Sequence, residues 1–352
     1  MAQKFTSRID ESNDNATIYT DRVNFFIGVL IYLIVNLFFF LIFYQLIGIP
    51  PDQLTLEYLS ILWIGNAIIA LIAGIISIFI TKALLKRTDN NLSPKTEDLT
   101  LKSLFSSFTL QKPVLQLKHT LFLVCCVYIP LDFFSYLIPG VLEFSGSSML
   151  SSSLGQYLLW EFGLMLIATL IVHFCVSFRE EFLFRNYYIT FGTTKSKSGV
   201  VFFYSAMLFG LAHLSYIFSP AAADTSLFFP IWWGLNALII GLISGYYFIK
   251  YHRLWPLILA HWINNLISAL VLRNYLLGRS FIESVLTYYM PFLIIGLIFI
   301  MSKRNSVEFH SKQIFWLLAN YKKDIIESNS KLLLIVDIAL IIIIWLFTTF
   351  TF

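Results

Sequence analysis

VNFFIGVLIYLIVNLFFFLIFYQLIG, residues 23–48, runs without a single charged side chain. An α-helix rises 1.5 Å per residue, so about 20 apolar residues cross roughly 30 Å of hydrocarbon. The Val, Ile, Phe and Tyr of this run would suit a strand in water. In lipid, only helices and closed barrels satisfy their backbone groups, and an unbroken apolar run lacks a barrel strand's alternation. The run reads as a membrane helix. It is too long for a signal-peptide core and follows the polar residues 1–22, so no cleavable signal is expected.

The rest of the chain follows the same pattern. Its 352 residues are 58% hydrophobic and 12% charged, with 35 Phe. A water-soluble domain carries about 25% charged residues, and half of that leaves too little polar surface to clothe a globule. Apolar spans fall at about 23–48, 59–85, 119–138, 157–190, 199–218, 228–249, 254–272, 282–302 and 332–351. The expected fold is an all-α polytopic membrane bundle of about 8–9 transmembrane helices. Cys125, Cys126 and Cys175 all lie in apolar runs, with no CxxC pair, and read as small core residues.

Basic residues check the segmentation and orient it. Lys4, Arg8 and Arg22 precede the first span, and the first loop has no Lys or Arg. The second loop and its margins carry Lys82, Lys86, Arg87, Lys95, Lys102, Lys112 and Lys118, and the third none. Arg185, Lys195 and Lys197 mark the fourth, Lys250 and Arg253 the sixth, and Lys303 to Lys331 the eighth. The fifth has none, and only the seventh, with Arg273 and Arg279, dissents. Basic loops stay in the cytoplasm, which puts the N-terminus inside. Residues 87–118 read as a cytoplasmic loop with an amphipathic piece near Leu101–Leu110, and 309–323 as a helix lying on the inner leaflet.

An ionisable side chain in hydrocarbon costs several kcal/mol, so the few present mark function or pairing. HFCVSFREEFLFRNYY, residues 173–188, holds Arg179, Glu180, Glu181 and Arg185. Adjacent residues of a helix point about 100° apart, whereas Glu181 and Arg185 share a face in the order that pairs well. Glu181 with Arg185 is therefore expected to be a structural ion pair, leaving Glu180 to face a cavity. FGLAH sets Phe209 and His213 one turn apart, and HWINN does the same for His261 and Asn265. Singly, a membrane His or Asn is commonly a packing and hydrogen-bonding residue. Together, their depths along three helices allow one buried, water-bearing cavity. There, Glu180 and His213 could polarise a water, while His261 and Asn265 could donate to the oxyanion of a hydrolysed peptide. No GxSxG serine is present, and Cys175 has no activating partner, so a covalent nucleophile is not expected.

Glu180-Glu181-x-x-x-Arg185, Phe209-x-x-x-His213 and His261-x-x-x-Asn265, in that order, resemble the three motifs of the CAAX protease and bacteriocin-processing (CPBP, or Abi) family. The Gly-rich run 234–248 also resembles that family's helix before its third motif. The resemblance covers roughly 157–273 and implies an intramembrane endopeptidase. In it, Glu180 and His213 activate water, His261 and Asn265 form the oxyanion hole, and Glu181 and Arg185 support them. One departure is Asn186, where bacterial members often have Gly; it is expected to alter only local packing. The family is called metalloprotease, and Glu180, His213 and His261 could supply three zinc ligands with water in the fourth place. A Glu/His-activated water with no metal assigned is the reading carried forward.

The expected organisation is an N-terminal transmembrane region (1–150), a protease-like core (151–275) and a C-terminal transmembrane region (276–352). The expected partners are a peptide, prenylated or membrane-protein substrate and the lipid bilayer, with no nucleic acid. Ile, Phe, Asn and Lys usage suggests an AT-rich bacterial genome and hence a bacterial cell membrane. The rival class is a non-catalytic scaffold or regulator of the bacteriocin-immunity type that keeps the protease fold. A transporter is disfavoured by the lack of internal repeats. His173 reads as a packing residue behind Glu180, and His119 and His252 as solvated. Asp132 is expected to bond backbone freed by Pro130, while Glu161 and Asp337 have no evident role.

Overall fold

The computed structural model describes residues 15–48, 54–88, 100–151, 153–195, 198–218, 226–327 and 331–351. Lys4, Arg8, Lys95 and Lys197 lie outside them. The described chain is helical: α1 (Asn15–Ile47), α2 (Leu56–Thr88), the short α3 (Leu101–Ser106), α4 (Pro113–Leu123), α5 (Ile129–Tyr136) and α6 (Val141–Ser151). These are followed by α7 (Phe162–Glu181), α8 (Tyr188–Lys195), α9 (Ser198–Leu214), α10 (Phe228–Tyr251) and α11 (Trp255–Leu276). The chain continues through α12 (Phe281–Ser284), α13 (Met290–Ser302), α14 (Arg304–Glu327) and α15 (Lys331–Thr351).

Among the described residues, 8 stretches are long and apolar enough to cross a membrane, from Thr20–Ile47 to Phe281–Ser302. A further, shorter apolar helix, Leu334–Leu346, lies within α15. The protein is a polytopic membrane bundle, as its apolar runs require. Single π-helical turns at Val124–Tyr128, Phe182–Tyr187 and Val285–Tyr289 join α4 to α5, α7 to α8 and α12 to α13, so each of these pairs runs on as one stretch.

Two boundaries differ from the sequence reading. The third span starts at Pro113 rather than near 119, because proline at the first helical turn needs no N–H partner. The fourth starts at Phe162 rather than 157, because Ser153–Leu159 forms a separate 3-10 segment and Glu161 occupies the N-cap position of α7. α6, between those spans, had no counterpart in the apolar runs.

Small residues let two of the helices cross closely. α9 and α10 cross where Gly210 and Gly234 face each other. A Cβ at Gly210 would lie 2.9 Å from the Gly234 carbonyl, and one at Gly241 3.0 Å from Ala206 Cα. Without a hydrophobic force between helices in lipid, such close backbone approach supplies the packing energy. Gly210→Val should therefore cost about 1–3 kcal/mol of stability, read as a lowered unfolding temperature in lipid nanodiscs. An unchanged transition would show that the crossing is loose.

The basic ends of the spans are tied together by α3 with its loop and by α14. α3 is held by a reciprocal capping box between Thr100 and Ser103. Asn186, expected to alter only local packing, bridges the α7–α8 stretch to it: its Nδ2 donates to Leu104 O at 3.0 Å, and its Oδ1 accepts from Ser107 Oγ at 3.0 Å. Trp255 Nε1 donates to Phe108 O at 3.0 Å, securing the start of α11 to the same loop. α14 lies across helix ends, stacking Tyr321 on Phe203 with ring centroids 4.3 Å apart. His310 Nδ1 sits 2.7 Å from Tyr246 Oη.

Several lone polar residues acquire partners. Arg22 of α1 lies 5.3 Å over the Tyr204 ring and 5.8 Å from that of Tyr321, whose hydroxyl donates to Asp337 at 3.4 Å. Asp337 is fully buried, so it joins the last helix to the first through this cluster. Asp132 accepts from the Tyr289 hydroxyl at 2.6 Å rather than serving backbone near Pro130. His119 is half-buried against Tyr247 Oη at 2.7 Å rather than solvated.

Candidate active site

α7 ends in Glu180 and Glu181 just where the chain widens into the π-turn Phe182–Tyr187. Such turns recur at functional sites because the extra residue re-aims side chains without ending the helix. Arg185 lies in that turn, with Nε 3.3 Å from Glu181 Oε2, and both side chains are fully buried. The other oxygen, Glu181 Oε1, lies 3.0 Å from His261 Nδ1.

Glu180 points elsewhere. Its Oε2 lies 3.9 Å from His213 Nε2 and 3.7 Å from His261 Nε2, so three spans deliver their polar groups to one point. The Phe209 ring packs between them, 4.6 Å from the His213 ring and 6.2 Å from that of His261, with the Arg185 guanidinium 4.0 Å from its centroid. Phe209 thus touches the Arg185 guanidinium and both imidazole rings.

Hydrogen-bond partners fix which ring nitrogen does what. A carboxylate or a carbonyl can only accept, so each Nδ1 must carry its proton. His213 Nδ1 donates to Phe209 O at 2.9 Å, leaving Nε2 as an acceptor towards Glu180. His261 Nδ1 donates to Glu181, which directs its Nε2 to Glu180. Two acceptors 3.9 Å apart are close enough to share the two hydrogens of one water. Glu180 and His261 are largely buried, while the His213 side chain keeps 19% of its exposure.

Asn265 lies one turn along α11 from His261, and its Nδ2 donates to Ser177 Oγ at 3.4 Å. Asn264 is the more buried of the two. His173, behind the site on α7, meets Tyr157 Oη at 3.0 Å. Sequence reasoning missed Tyr128 and Ser244. The Tyr128 hydroxyl lies 3.4 Å from Glu181 Oε1 and 2.8 Å from Ser244 Oγ. The only signal in the sequence was a tyrosine hydroxyl within an apolar run, which must find a partner. Among the described residues, no three His, Cys, Asp or Glu side chains are arranged to hold a metal ion.

The bundle thus sets one glutamate within 4 Å of histidines on two other spans. Residues 162–267 match the family model of type II CAAX prenyl endopeptidase Rce1-like proteins, a segment that contains all three motifs. The match covers less than half of the chain and agrees with the resemblance carried by the order of the three motifs. No curated protein and no solved structure matches the chain.

Proposed function

We propose that this protein is an intramembrane endopeptidase that hydrolyses a peptide bond with a water activated by Glu180 and His213. The observation that carries this reading is Glu180 Oε2, within 4 Å of an imidazole Nε2 on each of two other helices. Water held between Glu180 and His213 gives its proton to Glu180 as its oxygen adds to the scissile carbonyl. The oxyanion accepts hydrogen bonds from His261 Nε2–H and from Asn265, once the amide of Asn265 turns from Ser177. Donation from Nε2 requires His261, an Nδ1–H imidazole in the resting centre, to take up a second ring proton when substrate enters, with Glu181 as its counter-charge. Glu180 then passes its proton to the departing amine as the C–N bond breaks.

The substrate class is a membrane-associated peptide or protein, including one with a prenylated C-terminus. Residues 151–275 act as the core, flanked by the regions 1–150 and 276–352. The basic loops place the N-terminus in the cytoplasm, and residue usage points to a bacterial cell membrane.

Membrane peptidomics tests the reading by comparing wild type with Glu180→Ala and His213→Ala. Cleavage products present in wild type and lost equally in both variants are expected. Identical peptide profiles, with a phenotype that survives both substitutions, would instead identify a scaffold that keeps the fold.

A further inference from the structure

Tyr128 ends the π-turn that joins α4 to α5, more than thirty residues before the matched segment, and no motif includes it. It is fully buried, as are Glu181 and Ser244. Of its two polar neighbours, Glu181 as an ionised carboxylate can only accept, so the phenol proton points to Glu181 Oε1. Ser244 on α10 must then donate to the Tyr128 oxygen, giving a directed chain of hydrogen bonds from Ser244 through Tyr128 to Glu181. That same Oε1 is the atom that receives the Nδ1 proton of His261. The Tyr128 ring also lies against the His261 ring, with centroids 5.7 Å apart and planes inclined at 32°.

Glu181 is therefore fixed on both oxygens: Arg185 holds Oε2, and Tyr128 shares Oε1 with His261. Arg185 reaches the carboxylate at 3.3 Å through Nε, and Tyr128 adds a further donor at the oxygen that faces the imidazole. Tyr128 supplies the second anchor, from a helix outside the motif-bearing spans.

We propose that Tyr128 is a positioning residue for the hydrolytic centre, setting the tautomer and ring orientation of His261 through Glu181. The inference rests on the endopeptidase reading for its effect on rate, but its structural half can be measured without turnover. Outer partners of a functional histidine act on the scale of about 10-fold or more. Tyr128→Phe removes one hydroxyl and keeps the ring. In the full-length protein reconstituted in liposomes, it should lower kcat on a farnesylated CAAX-type peptide about 10-fold, with KM nearly unchanged. Solid-state NMR of isotope-labelled histidine, with the His261 signal assigned by its loss in His261→Gln, should show one Nδ1–H form in wild type and a mixture in Tyr128→Phe. Ser244→Ala, which leaves the bond to Glu181, should have a smaller effect on both readings.

Wild-type kcat together with a single retained Nδ1–H form in Tyr128→Phe would overturn the proposal. If the wild-type protein does not cleave the peptide, the substrate reading fails separately, and the tautomer comparison alone decides the role of Tyr128.

Discussion

Glu180→Gln should lower kcat for peptide hydrolysis by roughly 10^2- to 10^4-fold, the scale of a lost general base. The amide keeps the size of the side chain, so packing beside Phe209 and the two imidazoles persists, and KM and unfolding temperature should change little. What disappears is an oxygen able to take the proton of the attacking water. His213→Ala should fall by a similar amount, because the water then loses the acceptor 3.9 Å from Glu180. Groups that act on one water act as a unit, so the double variant should be hardly slower than either single one. Multiplicative losses in single-turnover measurements would show that the two residues serve different steps.

Breaking the neighbouring ion pair should act on stability instead. Glu181 and Arg185 are both fully buried at 3.3 Å, where solvent cannot screen a charge left alone. Glu181→Ala should cost about 3–5 kcal/mol and so should Arg185→Ala, since each strands its partner. Replacing both at once with apolar residues of similar size, Glu181→Leu with Arg185→Met, should restore most of that stability. The double variant should nevertheless stay inactive, because His261 has lost the acceptor at its Nδ1. Thermal unfolding in nanodiscs and peptide cleavage, measured on the same samples, check both halves. A stable single Ala variant would mean that the pair is not buried in the native protein. An active apolar double variant would mean that Glu181 does not orient His261.

The spans were legible because hydrocarbon imposes a length and forbids charge, and both constraints are written in composition. Residues 309–323 were readable as a helix for a related reason, since their Phe, Trp and Leu alternate with Lys around a helical turn. Glu180, Glu181, Arg185, Phe209, His213 and His261 could be singled out because each is costly in lipid or stands one turn from a residue that is.

What was not legible depends on contacts between distant segments. Tyr128 and Ser244 are ordinary membrane-helix residues until the fold brings α4, α7, α10 and α11 together. Asp132 gave no sign of Tyr289, 157 positions away, and Asp337 none of Arg22. The three π-turns left no mark, since one extra residue per turn does not disturb an apolar run. Asn186 looked like a local variation because its partners, Leu104 and Ser107, lie in a polar loop some eighty residues earlier.

The most direct test of the water-activating centre is cleavage of a farnesylated CAAX-type peptide by the purified protein in liposomes prepared in heavy-oxygen water. Wild type should release a product carrying one heavy oxygen in its new carboxylate, and Glu180→Gln should release almost none. Undiminished release by Glu180→Gln would contradict the assignment of Glu180 as the group that activates water.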